Sequence, residues 1–357
     1  MTYGSMITPI GTTADDNFSA MLQEKSGVDF VENSGFNDEN WPLGKILSLP
    51  KKNRFNALLK KGCQELIIKH GKDLFQSEDT LVIISSTKAN LEDLPNDTFA
   101  STRKVLKEEL ALKNKVVIIS NACISGVIAI NTAADYIQSG KYKTAVVIGI
   151  DVLSDFIVYG FQCLFALSNE PSLPFDKNRK GICIGEALGA VLLSKERMNN
   201  DFHVAFLGGS SSNDANHISG PSRTGEGLFR SVNRTMERAD VKSKDIDFIS
   251  AHGTGTNYND EMESIAFDRL GLIETPLNSL KGYFGHTLGA AGIIEVISTL
   301  KMMENNLLLK SVGFKETGTS CPINVLKENT EKEITTVLKT ASGFGGGNAS
   351  LILKKIQ

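Results

Sequence analysis

The stretch KVVIISNACISGVIAINTAADYIQSG, residues 115–140, carries the change of structural period from which the fold can be read. Its opening run KVVIIS is apolar and β-branched without alternation, as expected of a strand covered by helices on both faces. The small-residue-rich part after Cys123 predicts a buried helix ending at Gly140. Cys123 therefore falls at a strand-to-helix turn. There the unpaired amides and the helix dipole favour a thiolate, and a sharp elbow presents the sulfur to substrate.

Working outward, TLVIIS (80–85), KTAVVIGI (143–150) and DIDFIS (245–250) repeat the strand signature between helical patterns. That alternation predicts a mainly parallel α/β sheet. The segment RFNALLKKGCQELIIK (54–69) places Phe55, Leu58, Leu59, Cys63, Leu66 and Ile67 on one helical stripe. Lys60, Lys61 and Lys69 lie off it, either as a solvated face or as a docking patch for an acidic partner. A second strand-turn-helix passage holds AHGTGT (251–256). The shared plan predicts two related α/β halves, 1–200 and 201–357, with a soft boundary in KERMNNDF and no fixed-period repeat.

Composition narrows the function class. With 357 residues, 41% of them apolar and 22% charged, the chain can fold as one large α/β unit or two modest domains. A net charge of -3 gives no overall basic field for nucleic acid. The five cysteines, at 63, 123, 163, 183 and 321, include no CxxC pair, so neither a zinc ribbon nor a thioredoxin-like motif is available. The start MTYGSMITPIG has no signal-peptide pattern, and no apolar run reaches membrane-span length. A soluble, cytoplasmic protein with reduced thiols is expected.

His252 in ISAHGTGT and His286 in KGYFGHTLGAAG both sit in glycine-rich turns, where backbone and substrate can approach closely. Imidazoles placed there can donate or transfer protons near neutral pH. His70, His203 and His217 are read as structural, His217 least firmly because it lies in the polar loop SNDANHISGPS.

Five ordered motifs now converge: NACISG around Cys123, PFDKNRKGICIGE at 174–186, AHGTGT followed by Asp260 and Glu263, KGYFGHTLGAAG, and GFGGGN at 343–348. Together they resemble the β-ketoacyl-[acyl carrier protein] synthases of the type I and II elongation class, in the thiolase superfamily. The resemblance implies an α/β thiolase-like fold whose two related halves form a layered α-β-α-β-α core. It implies a 3-oxoacyl-[acyl carrier protein] synthase, an acyltransferase that condenses a carrier-bound acyl thioester with a malonyl unit. By the same resemblance Cys123 is the nucleophile, while His252 and His286 promote decarboxylation and hold the enolate oxygen. Lys281 supports the histidine pair, with Glu263 as its buried acidic partner. The amides of Cys123 and Phe344 form an oxyanion hole, Phe344 gates the acyl pocket beside Gly345, and Thr254 and Thr256 bind the pantetheine amides.

The implied partners are an acyl carrier protein and a second ketosynthase-like chain, as a homodimer or a heterodimer. No metal and no tightly bound cofactor are expected, since phosphopantetheine arrives on the carrier. Two departures stand out: the segment before KVVIISNACIS is shorter than usual, and Leu173 stands where a carrier-docking arginine is common. Two other readings remain: a partner subunit that shapes chain length, which typically lacks the cysteine, and a thiolase-like coenzyme A-dependent acyltransferase.

Overall fold

The computed structural model describes residues 1–197, 202–214 and 222–356. In the first sheet, β1 (Thr2–Ile7), β2 (Thr80–Ser85), β3 (Val117–Ile119), β4 (Thr144–Asp151) and β5 (Ala187–Ser194) lie in the order β1-β5-β4-β2-β3. In the second, β6 (His203–Asn213), β7 (Phe248–Ser250), β8 (Leu277–Asn278), β9 (Thr336–Gly343) and β10 (Gly347–Ile356) lie in the order β6-β10-β9-β7-β8. The second order is the first with every label raised by five, and the directions match as well. In each sheet two pairings are parallel and two antiparallel. The sheets are thus mixed rather than mainly parallel, because β1 and β5, and likewise β6 and β10, run against their neighbours.

Three helical layers enclose the sheets. Outside the first lie α1 (Arg54–His70) and α2 (Ala100–Leu110), and between the sheets lie α3 (Ser125–Gln138) and, later in the chain, the helix Ala291–Asn305. The outer face of the second sheet carries the helices Glu226–Ala239 and Asn257–Arg269. With α4 (Asp155–Cys163) at the rim of the first sheet, these last helices are α5 (Glu226–Ala239), α6 (Asn257–Arg269) and α7 (Ala291–Asn305). The layering is α-β-α-β-α, as the resemblance implies.

The local physics follows the sequence. All six residues of β2 are buried, since α3 covers one face and the short helix Asp73–Gln76 packs on the strand with the apolar cluster that includes Phe55, Leu58, Val105 and Leu106. On α1, Phe55, Leu58, Leu59, Cys63 and Leu66 face the core, Ile67 is half-buried and Ile68 points to water. The shortened segment 86–116 is filled by a 3₁₀ turn at Leu91–Asp93 and by α2, which packs on α1. The expected boundary at residue 200 and His217 both lie outside the described residues. Among the described residues no helix is long and apolar enough to cross a membrane.

The two halves touch backbone to backbone where α3 and α7 begin. A Cβ added to Gly126 would lie 3.0 Å from the amide nitrogen of Ile293, and one added to Gly292 only 2.9 Å from that of Val127. The helices therefore cross backbone against backbone. In an open helix a Gly→Ala change gains up to about 1 kcal/mol of propensity, whereas overpacking a rigid contact costs about 1–3 kcal/mol. Gly292→Ala is accordingly expected to destabilise the protein, by about 1–2 kcal/mol in urea unfolding. A stabilised variant would show that this crossing is slack.

Candidate active site

Cys123 directly precedes the N-cap of α3 and is 7% exposed. The elbow is set locally: Ala122 has φ of +43°, the Asn121 amide donates to Ser125 Oγ at 2.7 Å, and Ser125 Oγ donates to the Ala122 carbonyl at 2.6 Å. The amide of Phe344 faces the sulfur. The expected low thiol pKa is not what this setting produces. Burial pushes the Cys123 thiol up to about 12, with Lys281 pulling the other way. Charge at a helix terminus is worth up to about 2 kcal/mol, roughly 1.5 pKa units, whereas full burial moves a group by 3–5 units. Burial wins, and the resting group is a thiol.

His252 and His286 meet edge to face, with ring centroids 5.2 Å apart, and a nitrogen of each lies within 4.8 Å of the other and of Cys123 Sγ. Their outer nitrogens are already engaged. The Leu288 amide donates to His286 Nδ1 at 3.3 Å, and Lys281 Nζ lies 3.3 Å from His252 Nδ1. With Nδ1 accepting, each ring carries its proton on Nε2. His286 Nε2 is buried with no hydrogen-bond partner among the described residues. Burial, then the charge of Lys281, hold both histidines well below the ordinary histidine range, so both are neutral donors. The set thus turns two N–H groups and a thiol toward one point. That arrangement suits an oxygen anion and does not suit a metal ion, which needs ring lone pairs there.

The turn carrying His252 is held on both sides by buried charges. Glu263 accepts from the amides of His252 (2.9 Å) and Gly253 (2.6 Å), and Asp260 from those of Thr254 (2.9 Å) and Gly255 (3.1 Å). Asp260 also accepts from the Phe175 amide at 2.7 Å, tying the PFD motif to the same turn. On the carbonyl side, Lys281 Nζ donates to His252 O, and Lys339 Nζ to Ser250 O (3.1 Å) and Ala251 O (3.3 Å).

Here the assignment of Glu263 needs correction. The carboxylate paired with Lys281 is Glu295, with Oε1 at 2.6 Å, while its Oε2 lies 2.7 Å from Lys339 Nζ. Glu263 instead spends its oxygens on backbone amides, on Thr340 Oγ1 (3.1 Å) and on Asn259 Nδ2 (3.0 Å). Sequence reasoning missed Glu295 and Lys339. A signal existed: each is a lone charge inside an apolar run, AGIIEVIS and TTVLKTAS, where a charge is seldom buried without a partner.

A cavity of about 990 Å³ reaches Cys123, His252 and His286 and is lined also by Thr254, Thr256 and Phe344. The Thr254 and Thr256 hydroxyls lie 2.8 Å apart, and Thr256 Oγ1 accepts from the Asn259 amide to cap α6. Phe344 stacks on Phe161 of α4 with centroids 5.3 Å apart, a contact not foreseen from the sequence. Gly345 does not line the cavity, because at φ of +84° it turns into solvent. Nor do Lys60, Lys61 and Lys69, which lie on α1 in the outer layer; Lys60 faces Glu109 at 3.8 Å and Lys69 lies over the Tyr3 ring.

Because Cys123 is buried and protonated whereas Cys163 is exposed, iodoacetamide at neutral pH is expected to label Cys163 first. Labelling of Cys123 should then climb about tenfold per pH unit up to about pH 10, following the thiolate fraction. Peptide mapping after timed exposure measures both. A Cys123 rate that levels off below about pH 8 would restore the low-pKa thiol.

With this geometry in place, comparison with known proteins is informative. The family description "Beta-ketoacyl synthase, N-terminal domain" matches residues 96–199, and "Beta-ketoacyl synthase, C-terminal domain" matches residues 204–315. A putative polyketide beta-ketoacyl synthase 1 of Streptomyces halstedii is 30% identical over 272 residues, covering 72% of this chain and 64% of its own length. The 3-oxoacyl-[acyl-carrier-protein] synthase 1 of Escherichia coli K12 is 29% identical over 252 residues, covering 67% and 61%. The matches thus span less than two thirds of these relatives. Among solved structures, a ketosynthase (ApeO) in complex with its chain length factor (ApeC) from Xenorhabdus doucetiae superposes with a TM-score of 0.86 at 27% identity, covering 99% of this chain and 96% of that one. The ishigamide ketosynthase/chain length factor, at 24% identity and a TM-score of 0.87, shares the fold. Two consecutive family domains, the shared fold and the converging cysteine and histidines make the chain a member of the β-ketoacyl synthase family.

Proposed function

We propose that this chain catalyses the decarboxylating condensation of a carrier-bound acyl thioester with malonyl-acyl carrier protein, giving a 3-oxoacyl-carrier. The observation that carries the reading is that one nitrogen of each imidazole and the Cys123 sulfur lie within 4.8 Å of one another while both Nδ1 atoms are already engaged, which leaves Nε2–H as each ring's donor. In the first half-reaction Cys123 Sγ attacks the acyl carbonyl, the carrier thiolate leaves, and the thiol proton ends on it. The amides of Cys123 and Phe344 are the donors for the tetrahedral oxyanion.

In the second half-reaction the malonyl thioester oxygen sits between His252 and His286. Carbon dioxide departs, and the charge left behind spreads onto that oxygen, where neutral N–H donors stabilise it without taking up a competing proton. The enolate carbon then attacks the acyl-Cys123 thioester and the cysteine leaves, to be reprotonated from solvent. Thr254 and Thr256 are assigned to the pantetheine amides in the cavity, and Phe344 to gating it. No tightly bound cofactor enters this scheme; phosphopantetheine is brought by the carrier.

The assembly we propose is a dimer with another ketosynthase-like chain. Beside the cavity α4 is apolar but buries only Val158, leaving Phe156 70% exposed, and Phe165 just beyond its end is 95% exposed. Such a patch is what a subunit interface covers. The structure described as a ketosynthase with its chain length factor favours a heterodimer as the alternative to two identical chains. A chain-length-shaping role for this chain itself is disfavoured, since Cys123 and both histidines are present.

Mutation should separate the half-reactions. Cys123→Gln is expected to abolish condensation yet keep releasing carbon dioxide from malonyl-carrier, the amide standing in for the acylated cysteine. His252→Ala and His286→Ala should instead lose about 3 kcal/mol of oxyanion stabilisation, roughly a hundredfold in decarboxylation rate, while acyl transfer to Cys123 suffers less. Radiolabelled carbon dioxide release beside trapped acyl-enzyme reports both steps. Histidine variants that decarboxylate normally would refute the division of labour.

A further inference from the structure

We propose that Lys339 is a positioning residue for the decarboxylation step: by holding one oxygen of Glu295, it leaves the Lys281 ammonium directed at His252 Nδ1. The proposal rests on the ketosynthase reading above and extends it to a group that touches no substrate. Lys339 stands in the middle of β9, paired in register with Ser250 of β7, and its side chain is 0% exposed. A charge at that depth costs several kcal/mol, so its partners define what it does.

Those partners are all at the base of the His252 turn. The ammonium donates to the carbonyls of Ser250, Ala251 and Thr340 and lies 2.7 Å from Glu295 Oε2. Glu295 is thereby shared, one oxygen to each lysine, and the trio carries two positive charges against one negative. Without Lys339 the whole carboxylate charge would fall on Lys281. The trio would become neutral, and Lys281 would be drawn from His252 Nδ1 toward the carboxylate. His252 would then lose the contact that keeps its proton on Nε2.

The other charged or titratable groups around the two imidazoles are Glu263 and Asp260 on α6, Asp151 at the end of β4 with its partner Lys88, and the Cys123 thiol. Lys339 adds to the forces that hold both histidines low, behind burial and Lys281 at His286 and behind burial, Lys281 and His286 at His252. The sign follows. A lysine lowers a histidine pKa, the neutral ring is the active donor, and activity falls as pH drops through that pKa. Removing Lys339 therefore moves the acid limb upward.

The test is carbon dioxide release from malonyl-carrier protein between about pH 5.5 and 8.5, the range in which a released histidine would titrate. Wild type is expected to be flat there. Lys339→Met should lose about tenfold at pH 5.5 and recover by about pH 8, an acid limb at the ordinary histidine value of about 6.5 against a wild-type limb below the range. The double variant Lys339→Met/Glu295→Gln restores one net positive charge and leaves no unpaired buried carboxylate. It should regain the flat profile, at a rate lower by a constant factor, and it keeps the test available if the single variant does not fold. A pH-independent loss in Lys339→Met, a profile superimposable on wild type, or an acid limb that persists in the double variant overturns the assignment of Lys339 alone. A wild type that releases no carbon dioxide overturns the ketosynthase reading and this proposal with it.

Discussion

Five ionisable side chains buried from water hold the segment from Ser250 to Gly255, and the candidate site is arranged around them. Glu263 and Asp260 take up its amides, while Lys281 and Lys339 take up its carbonyls. Glu295 ties the two lysines together from α7. Each charge taken out of water costs several kcal/mol, and only complete pairing offsets that. The cluster is therefore close to all-or-none: with every member in place the turn has one conformation, and the loss of one strands its neighbours. Burial raises the pKa of both acids, and the backbone amides oppose that rise by favouring the charged forms. A rigid turn is what a pair of aimed N–H donors requires, because donors that need not reorganise stabilise developing charge most effectively.

The duplicated sheet order explains where these residues can come from. Cys123 lies between β3 and α3, and His286 between the equivalent pair β8 and α7. At the helix starts that follow them the halves touch backbone to backbone, at Gly126 and Gly292. His252 arrives from β7, the neighbour of β8 in the same sheet. Asp151 adds a cross-tie, its Oδ2 accepting from the Gly289 amide at 2.8 Å while Oδ1 pairs with Lys88 at 3.0 Å.

How much of this was legible in the sequence depended on how local the cause was. The elbow at Cys123 and the turns at His252 and His286 follow from strand, glycine and helix signals within a dozen residues, and the structure brings all three together. The layering was legible through family resemblance. Strand direction was not, since β1 and β5 read as apolar runs whichever way they lie. The acidity of Cys123 was misjudged because a helix terminus is visible in sequence whereas total burial is a property of the finished fold. Glu263 was given to Lys281 by the family resemblance, whereas the acid that reaches the ammonium is Glu295 of α7. The lone charge of Lys339 in an apolar run signalled burial but not its partners, and Phe161 was invisible because its partner Phe344 lies on another element.

The glycine crossing of α3 and α7 also bears on when the site comes into being during folding. The contacts that seat it span long stretches of chain: Ser85 Oγ donates to the Gly289 carbonyl across 204 residues, and Asp151 meets the Gly289 amide across 138. Contacts of such separation form late, after local helices and hairpins have condensed, since a long loop must be closed before they contribute. A growing or half-collapsed chain would hold Cys123 on one unit and both histidines on another, with no shared cavity between them. The proposed thioester chemistry is thereby confined to fully docked molecules, and the Cys123 thiol meets the two histidines only at the last stage of assembly.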